Sequence, residues 1–218
     1  MQSHRTPPIA NDAPINDSVS VNPVEQTRER GRPELFTIGH SALPAAKLLE
    51  LLRSYRIDTV VDVRSQPYSR LHPQHSRAAL RDFLKVNGVR YAFMGDTLGG
   101  RPKEARHYDA QGHVNYSSWA GSADFQVGLA RLTQALRKYR VALLCSEEDP
   151  RQCHRHLLIA RALMNQGLEA DEILHIRSKG TLTAEASLAH QVGLEGERSW
   201  KSPLSVLHKV LPNGSSSG

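Results

Sequence analysis

The hydrophobic positions of the 218-residue chain alternate between short apolar runs and longer segments with helical spacing. Short runs rich in leucine and β-branched side chains are typical of buried strands. They predict strands at residues 35–38, 59–64, 89–94, 141–145 and 172–176. Between them, apolar residues recur at spacings of three and four, which predicts amphipathic helices beginning near Pro44, Ser76 and Ser122.

Strands that alternate with helical segments of this length indicate βαβ units, parallel pairing and right-handed crossovers. We therefore predict an α/β fold: a three-layer α/β/α domain with an open, Rossmann-like and mostly parallel sheet of about five strands. In such sheets, ligands bind beyond the carboxyl ends of the strands. Every polar segment that follows a strand is thus expected at the same edge.

The ends of the chain differ from this pattern. Residues 1–33 are rich in Pro, Asn, Ser and Arg without an apolar period, which predicts a disordered leader. Residues 34–180 form the predicted single α/β domain, and residues 181–218 a C-terminal extension with a mobile, low-complexity tail. Within this extension, residues 181–192 carry a weak helical pattern.

Composition and charge narrow the classes of function. No run approaches the roughly 18 apolar residues of a membrane span, and the first thirty residues lack the apolar centre of a secretory signal. Two cysteines are too few for a disulfide framework, so the sequence predicts a cytoplasmic protein without membrane association. The net charge of +6 favours an anionic small molecule or nucleic acid as partner. No motif names a cofactor.

The segment 141–155 carries the densest chemistry. Its strand ends in a cysteine, and Asp149-Pro150 is typical of a helix N-cap followed by proline at the first helical position. The sequence therefore predicts a strand, a short loop and a helix that runs to Gly167. This geometry brings a set of reactive side chains to the edge of the sheet: Cys145, Glu147, Cys153, His154 and Arg155.

Three other predicted strands also run into polar segments. They contribute His40 and Ser41 after the first strand, Asp62, Arg64 and Ser65 at the end of the second, and Gly99 and Gly100 after the third. A buried aspartate or arginine needs a partner, either another side chain or a ligand. A glycine pair lets the backbone approach a ligand closely, although a plain tight turn accounts for it equally well.

The order of these motifs resembles a family known as domain of unknown function 488. The resemblance rests on Thr37-Ile-Gly39-His40-Ser41, Asp62-Val-Arg64-Ser65, Leu98-Gly99-Gly100, and Cys145 with Glu147 and the Cys153-His154-Arg155 triplet. It spans residues 35–176. It implies a bacterial, cytosolic α/β protein and indicates a site without naming a reaction.

The leading hypothesis is an enzyme that acts on an anionic, phosphate-bearing or nucleotide-derived ligand. Arginine binds such anions bidentately, and histidine or glutamate can act as acid or base. We assign catalytic roles to His40, Glu147, Cys153 and His154, and ligand binding to Ser41, Asp62, Arg64, Ser65, Gly99, Gly100 and Arg155.

Two alternatives from other classes stay open. The basic charge is typical of a nucleic-acid-binding module without catalysis, whose affinity would fall steeply with salt. Thiol chemistry, either sulfurtransferase-like or redox, would use Cys145 or Cys153, because a helix N-terminus and neighbouring cations depress the pKa of a thiol. The order of elements resembles rhodanese-type sulfurtransferases, although residues 146–150 are acidic and lack glycine.

Metal binding is not predicted. The two cysteines are separated by seven residues, whereas neighbouring ligands of structural zinc sites are two to four residues apart. A catalytic metal site built from Cys145, Cys153 and His40 is a minor alternative.

Overall fold

A computed structural model describes residues 34–188 and 200–203; the leader and the mobile tail that the sequence predicts lie outside the described residues. Six strands form one sheet: β1 (Leu35–Gly39), β2 (Thr59–Asp62), β3 (Arg90–Phe93), β4 (Val141–Cys145), β5 (Ile173–Ile176) and β6 (Leu182–Ala184). Five α-helices lie wholly within the described ranges: α1 (Ala45–Ser54), α2 (Arg77–Val86), α3 (Tyr116–Ala120), α4 (Ala123–Leu136) and α5 (Arg161–Met164). None of the described helices has the length and apolar composition needed to cross a membrane.

The strand order is β3-β2-β4-β1-β5-β6. Strands β1 to β5 are parallel, and β6 pairs antiparallel with β5. The predicted fold class is therefore confirmed, with one strand more than expected. The order departs from the Rossmann sequence 3-2-1-4-5-6 by exchanging β1 and β4. The sheet also continues past residue 180, because residues 182–184 form β6. The helix expected within residues 181–192 is present at residues 185–188, and residues 189–192 lie outside the described residues.

Apolar layers cover both faces of the sheet. Leu52 of α1 and Leu84 of α2 pack with Phe36 on one face, and Leu129 of α4 packs with Leu143 on the other. Strand side chains alternate between faces, so the last residue of β4 belongs to the same layer as Leu143. The Cys145 side chain therefore faces the segment that follows β4.

The connections after β2 and β4 leave the sheet on opposite faces. These two strands are neighbours, yet α2 follows β2 on one face and the helical segment after β4 packs on the other. Connections that leave neighbouring strands in opposite directions open a ligand crevice at their carboxyl ends. The end of β1 is covered instead, because a β-carbon on Gly39 would meet the backbone carbonyl of Glu147 at 1.7 Å.

The helix predicted from Pro150 is wrong in its first part. Residues Pro150–Gln152 form a 3-10 turn, which Asp149 caps by accepting a hydrogen bond from the backbone N–H of Arg151 at 3.0 Å. Cys153 is then extended, with φ −130° and ψ 141°. The chain resumes as a π-helix over Arg155–Ala160 and continues as α5. This break lets the Cys153 thiol reach Cys145, and π-helical segments are frequent at functional sites.

Candidate functional site

A cavity of about 120 Å³ opens at the carboxyl edge of the sheet, beside β2 and β4. Its wall includes Ser65, Gly100, Arg101, Tyr116, Cys145, Glu147, Cys153 and His154. Except for Tyr116 of α3, these residues lie at or after the carboxyl ends of β2, β3 and β4, which the parallel strands bring to one edge. A cavity needs only about 10–15 Å³ by this measure to hold one water, so this one has room for a small polar group.

Four side chains on this wall form what we call the reactive cluster: Cys145, Glu147, Cys153 and His154. The thiol of Cys145 donates a hydrogen bond to Oε2 of Glu147 at 2.9 Å. Nδ1 of His154 lies 3.7 Å from Sγ of Cys145 and 3.8 Å from Sγ of Cys153. Both cysteines are free and buried. Two thiols, an imidazole and a carboxylate therefore meet at one point.

The hydrogen bonding of His154 directs its reactive nitrogen towards the thiols. Nε2 lies 2.9 Å from the backbone carbonyl oxygen of Val63, which can only accept a hydrogen bond. Nε2 therefore carries a proton and donates it. In the neutral ring Nδ1 then keeps its lone pair, which points at the two sulfur atoms.

The charges of the reactive cluster influence one another. Glu147 is exposed at the cavity mouth, yet the protein atoms close to its carboxylate displace water and so raise its pKa. The hydrogen bond from Cys145 and the attraction of His154 lower the pKa by more, so the net pKa of Glu147 is lowered. Burial lowers the pKa of His154, but its contact with Cys153 and the negative charge of Glu147 reverse the direction, and the net pKa is raised. Glu147 is consequently an ionised proton acceptor at neutral pH.

The prediction of a depressed pKa for Cys153 is wrong. Burial raises the pKa of this thiol well above its ordinary value, and interaction with Cys145 adds to the rise. The expected effect of a helix N-terminus does not apply, because Cys153 precedes a π-helix in an extended conformation. A thiol so buried is a poor free nucleophile unless a bound group replaces its proton.

The two arginines of the predicted anion cradle are occupied by protein partners. Arg64 donates to both carboxylate oxygens of Asp62, from Nε at 2.9 Å and from Nη2 at 2.5 Å. Its Nη1 donates to the carbonyl of His75 at 2.8 Å. Arg155 is fully buried and donates to the carbonyl oxygens of Glu147 and Glu148. Arg64 reaches the cavity wall as a neutralised pair, and Arg155 holds the loop after β4.

His40 lies behind Arg64 and does not line the cavity. Its Nδ1 donates to the carbonyl of Ser41 at 2.9 Å, and its Nε2 accepts from Nη1 of Arg64 at 3.0 Å. Both ring nitrogens are thus engaged, and the ring stacks on His75 at 4.2 Å. Ser41 is exposed with φ 42°, also outside the cavity wall. The catalytic role predicted for His40 has no support in this geometry.

The buried position of His40 predicts a loss of stability in acid. Desolvation lowers its pKa to about 4, against roughly 6.5 in the unfolded chain. Between these two pKa values the unfolded state binds more protons than the folded state. The contribution of His40 to the free energy of unfolding is therefore fully present above pH 6.5 and declines as the pH falls towards 4. Urea unfolding at pH 7.5 and pH 5 should show this contribution as about 1–2 kcal/mol. In His40→Asn, the difference in unfolding free energy between the two pH values should be smaller by that amount. The same pH dependence in parent and variant would contradict the assignment of this effect to His40.

The glycine pair approaches protein groups closely. A β-carbon on Gly100 would lie 2.8 Å from the ring of His154, and one on Gly99 would lie 2.3 Å from the hydroxyl of Ser65. The carbonyl of Gly99 also accepts a hydrogen bond from the Trp119 indole at 2.9 Å. The pair therefore lets the loop after β3 pack against the reactive cluster.

Arg101 and Tyr116 also line the cavity, although the sequence did not indicate them as site residues. Arg101 directly follows the glycine pair, and its backbone N–H donates to the Ser65 hydroxyl at 3.0 Å. Among residues 34–188 and 200–203 its guanidinium has no carboxylate partner. Tyr116 begins α3, is 2% exposed, and has its pKa raised by burial, so its hydroxyl stays protonated. The only sequence feature that could have indicated either residue as part of the site is the position of Arg101 directly after the glycine pair.

The fold and this site define an open α/β protein with a polar cavity at the carboxyl edge of its sheet. The chain belongs to the family described as Domain of unknown function DUF488, whose model matches residues 44–162, more than half of the 218 residues. The matched region contains the Asp62–Arg64 pair, the glycine pair and the whole reactive cluster. No curated protein and no solved structure matches the chain.

Proposed function

We propose that this protein is an enzyme that binds a small anionic molecule in the cavity and transforms it at the reactive cluster. The observation that carries the proposal is the meeting of Cys145, Glu147, Cys153 and His154 on one polar cavity wall. Side chains with perturbed pKa values in a concave, polar site are typical of catalytic centres. A structural role alone would not require two thiols and an ionised carboxylate at the mouth of a cavity.

Arg101 is the group that we expect to bind the anion. The guanidinium of Arg64 is neutralised by Asp62, so it attracts an anion weakly. Arg101 lines the cavity, and no described carboxylate neutralises it. Arginine binds phosphate or carboxylate through two parallel hydrogen bonds. A substrate held by Arg101 would lie against the reactive cluster across the cavity.

Glu147 is the residue that we expect to transfer protons. An ionised carboxylate at the cavity mouth can accept a proton from a substrate or from water. The Tyr116 hydroxyl keeps its proton and can donate a hydrogen bond to a charged oxygen of the ligand. We also propose a cytoplasmic location, because the two free thiols need a reducing compartment.

The first test is ligand-induced thermal stabilisation with phosphate, nucleoside monophosphates and small dicarboxylates. We expect at least one of these anions to raise the unfolding temperature of the parent. Arg101→Gln should abolish that rise, because the substitution removes the charge at the cavity wall. Stabilisation requires the anion to bind the folded state.

Lys103→Gln is the matched control, because Lys103 carries the same charge two residues away and is exposed outside the cavity wall. The control should respond to anions as the parent does. Equal loss in both variants would indicate general electrostatic attraction, as the nucleic-acid-binding alternative predicts, and would contradict the proposal. A parent protein that none of the anions stabilises would contradict it as well.

A further inference from the structure

Three atoms with affinity for a soft divalent cation lie together on the cavity wall. Sγ of Cys145, Sγ of Cys153 and Nδ1 of His154 are all within 4.8 Å of one another. Zinc binds sulfur at about 2.3 Å and nitrogen at about 2.0–2.1 Å with tetrahedral geometry. Those bond lengths place sulfur and nitrogen ligands roughly 3.5 Å apart. The observed sulfur–nitrogen distances of 3.7 and 3.8 Å are close to that value.

The orientation of His154 is that of a metal ligand. Metal-binding histidines usually donate the N–H that faces away from the metal to a carbonyl or carboxylate, which fixes the ring. Nε2 of His154 does so with the carbonyl of Val63 at 2.9 Å. Gly100 packs against the same ring and leaves no room for a β-carbon. The lone pair on Nδ1 is consequently held in place before any ligand binds.

Packing alone does not account for the cluster. A single buried cysteine behaves as a small apolar residue. Here two buried thiols share one imidazole lone pair, and the carboxylate of Glu147 accepts from Cys145 at 2.9 Å. A divalent cation would replace the two thiol protons and neutralise the charges of the two thiolates. It would also remove the cost that burial imposes on thiolate formation at Cys153.

A second group of possible metal ligands differs from the reactive cluster in its hydrogen bonding. It consists of His156, His175 and Glu185. There the carboxylate of Glu185 lies 2.7 Å from Nδ1 of His156 and 2.8 Å from Nε2 of His175, so it can accept from both rings. The remaining nitrogen of His175 contacts the Thr37 hydroxyl at 2.7 Å. These groups satisfy one another as a buried hydrogen-bond network. Among the described residues, Nδ1 of His154 has hydrogen-bond contacts with the two thiols, which are weak donors.

We propose that Cys145, Cys153 and His154 bind one zinc-class divalent transition metal ion, with the fourth coordination position directed at the cavity beside Glu147. Metal sites with three protein ligands and one open position are typical of catalytic zinc. A water bound there can lose a proton to Glu147 and become a stronger nucleophile. This last step rests on the proposed function, whereas metal binding does not. The site differs from the minor alternative of the sequence, because His154 replaces His40.

The test uses the full chain without a histidine tag. Elemental analysis of the purified protein should find close to one zinc-class ion per chain. After chelation, titration with Co²⁺ should produce the intense thiolate-to-metal charge-transfer absorption of a sulfur-ligated site. Iodoacetamide should modify both cysteines faster in the chelated protein than in the metal-loaded protein, a measurement that needs no variant.

Loss of a residue that only orients a metal ligand weakens metal binding roughly 10–100-fold. Loss of a direct ligand should weaken Zn²⁺ binding by more than this in each of three variants: Cys145→Ser, Cys153→Ser and His154→Gln. His72→Gln, which changes a histidine outside the reactive cluster, should bind Zn²⁺ as the parent does. A folded parent that binds neither Zn²⁺ nor Co²⁺, with equal alkylation rates with and without Zn²⁺, would overturn the inference.

The inference and the proposed function can fail separately. If the protein binds no metal but Arg101→Gln still abolishes anion binding, the metal inference fails and the enzyme proposal stands. If the protein binds metal at the cluster but no anion stabilises it, the metal site stands and the enzyme proposal fails.

Discussion

Asp62→Ala should destabilise the protein by about 3–5 kcal/mol, because it leaves a buried guanidinium without its counter-charge. The side chain of Asp62 is fully buried, and Arg64 is 4% exposed. The carboxylate accepts four hydrogen bonds: from the backbone N–H, Nε and Nη2 of Arg64, and from the hydroxyl of Tyr91 at 2.6 Å. Typical domains are stable by only about 5–15 kcal/mol, so the loss should be plain in urea unfolding.

The matched control is Asp82→Ala, which breaks an exposed Asp–Arg pair. Asp82 contacts Arg81 at 2.9 Å, with the two side chains 63% and 55% exposed. Solvent screens such pairs, so this variant should unfold at nearly the parent urea concentration. A loss for Asp62→Ala no larger than that of the control would show that the pair does not hold this edge of the sheet.

Glu147→Gln should reduce turnover by about 10²–10⁴-fold, the usual contribution of a general acid or base. The amide keeps the size of the side chain and can still accept from the Cys145 thiol, but it cannot accept a proton from the substrate. Anion binding should persist, because Arg101 is unchanged. The expected signature is therefore a reduced kcat with an anion-induced thermal shift similar to that of the parent.

Glu148→Gln provides the same chemical change at the next residue. Glu148 pairs with Arg177 at 2.6 Å, away from the cavity wall, and this contact lowers its pKa to about 2. Its loss should leave kcat at the parent value. Equal activity in the Glu147 and Glu148 variants would remove Glu147 from the mechanism.

The sequence predicts the sheet well, because its signals are local. Short apolar runs bounded by polar residues identified β1 to β5, and Ser122 caps α4 by accepting from the Phe125 N–H at 3.2 Å. The break after β4 was missed, because a proline after an N-cap is typical of both an α-helix and a 3-10 turn. Strand β6 was missed, because its three residues match a weak helical pattern.

The candidate site was predicted only in outline. Parallel strands bring their ends to one edge, so the meeting of the polar segments follows from the fold class. Whether a polar side chain faces the cavity or another protein group depends on pairing that no local pattern encodes. Arg64 and Asp62 satisfy each other, and His40 lies behind them. Arg101 and Tyr116 face the cavity, although neither belongs to a recognisable motif.

Activity towards an unselected mixture of small molecules tests the central claim most directly. The parent, Glu147→Gln and Glu148→Gln are each incubated with a metabolite extract and Zn²⁺, and the anionic compounds are followed by mass spectrometry. We predict that the parent and Glu148→Gln deplete at least one anionic compound and accumulate its product, while Glu147→Gln does not. Identical profiles for the parent and Glu147→Gln would contradict a catalytic centre at this cavity.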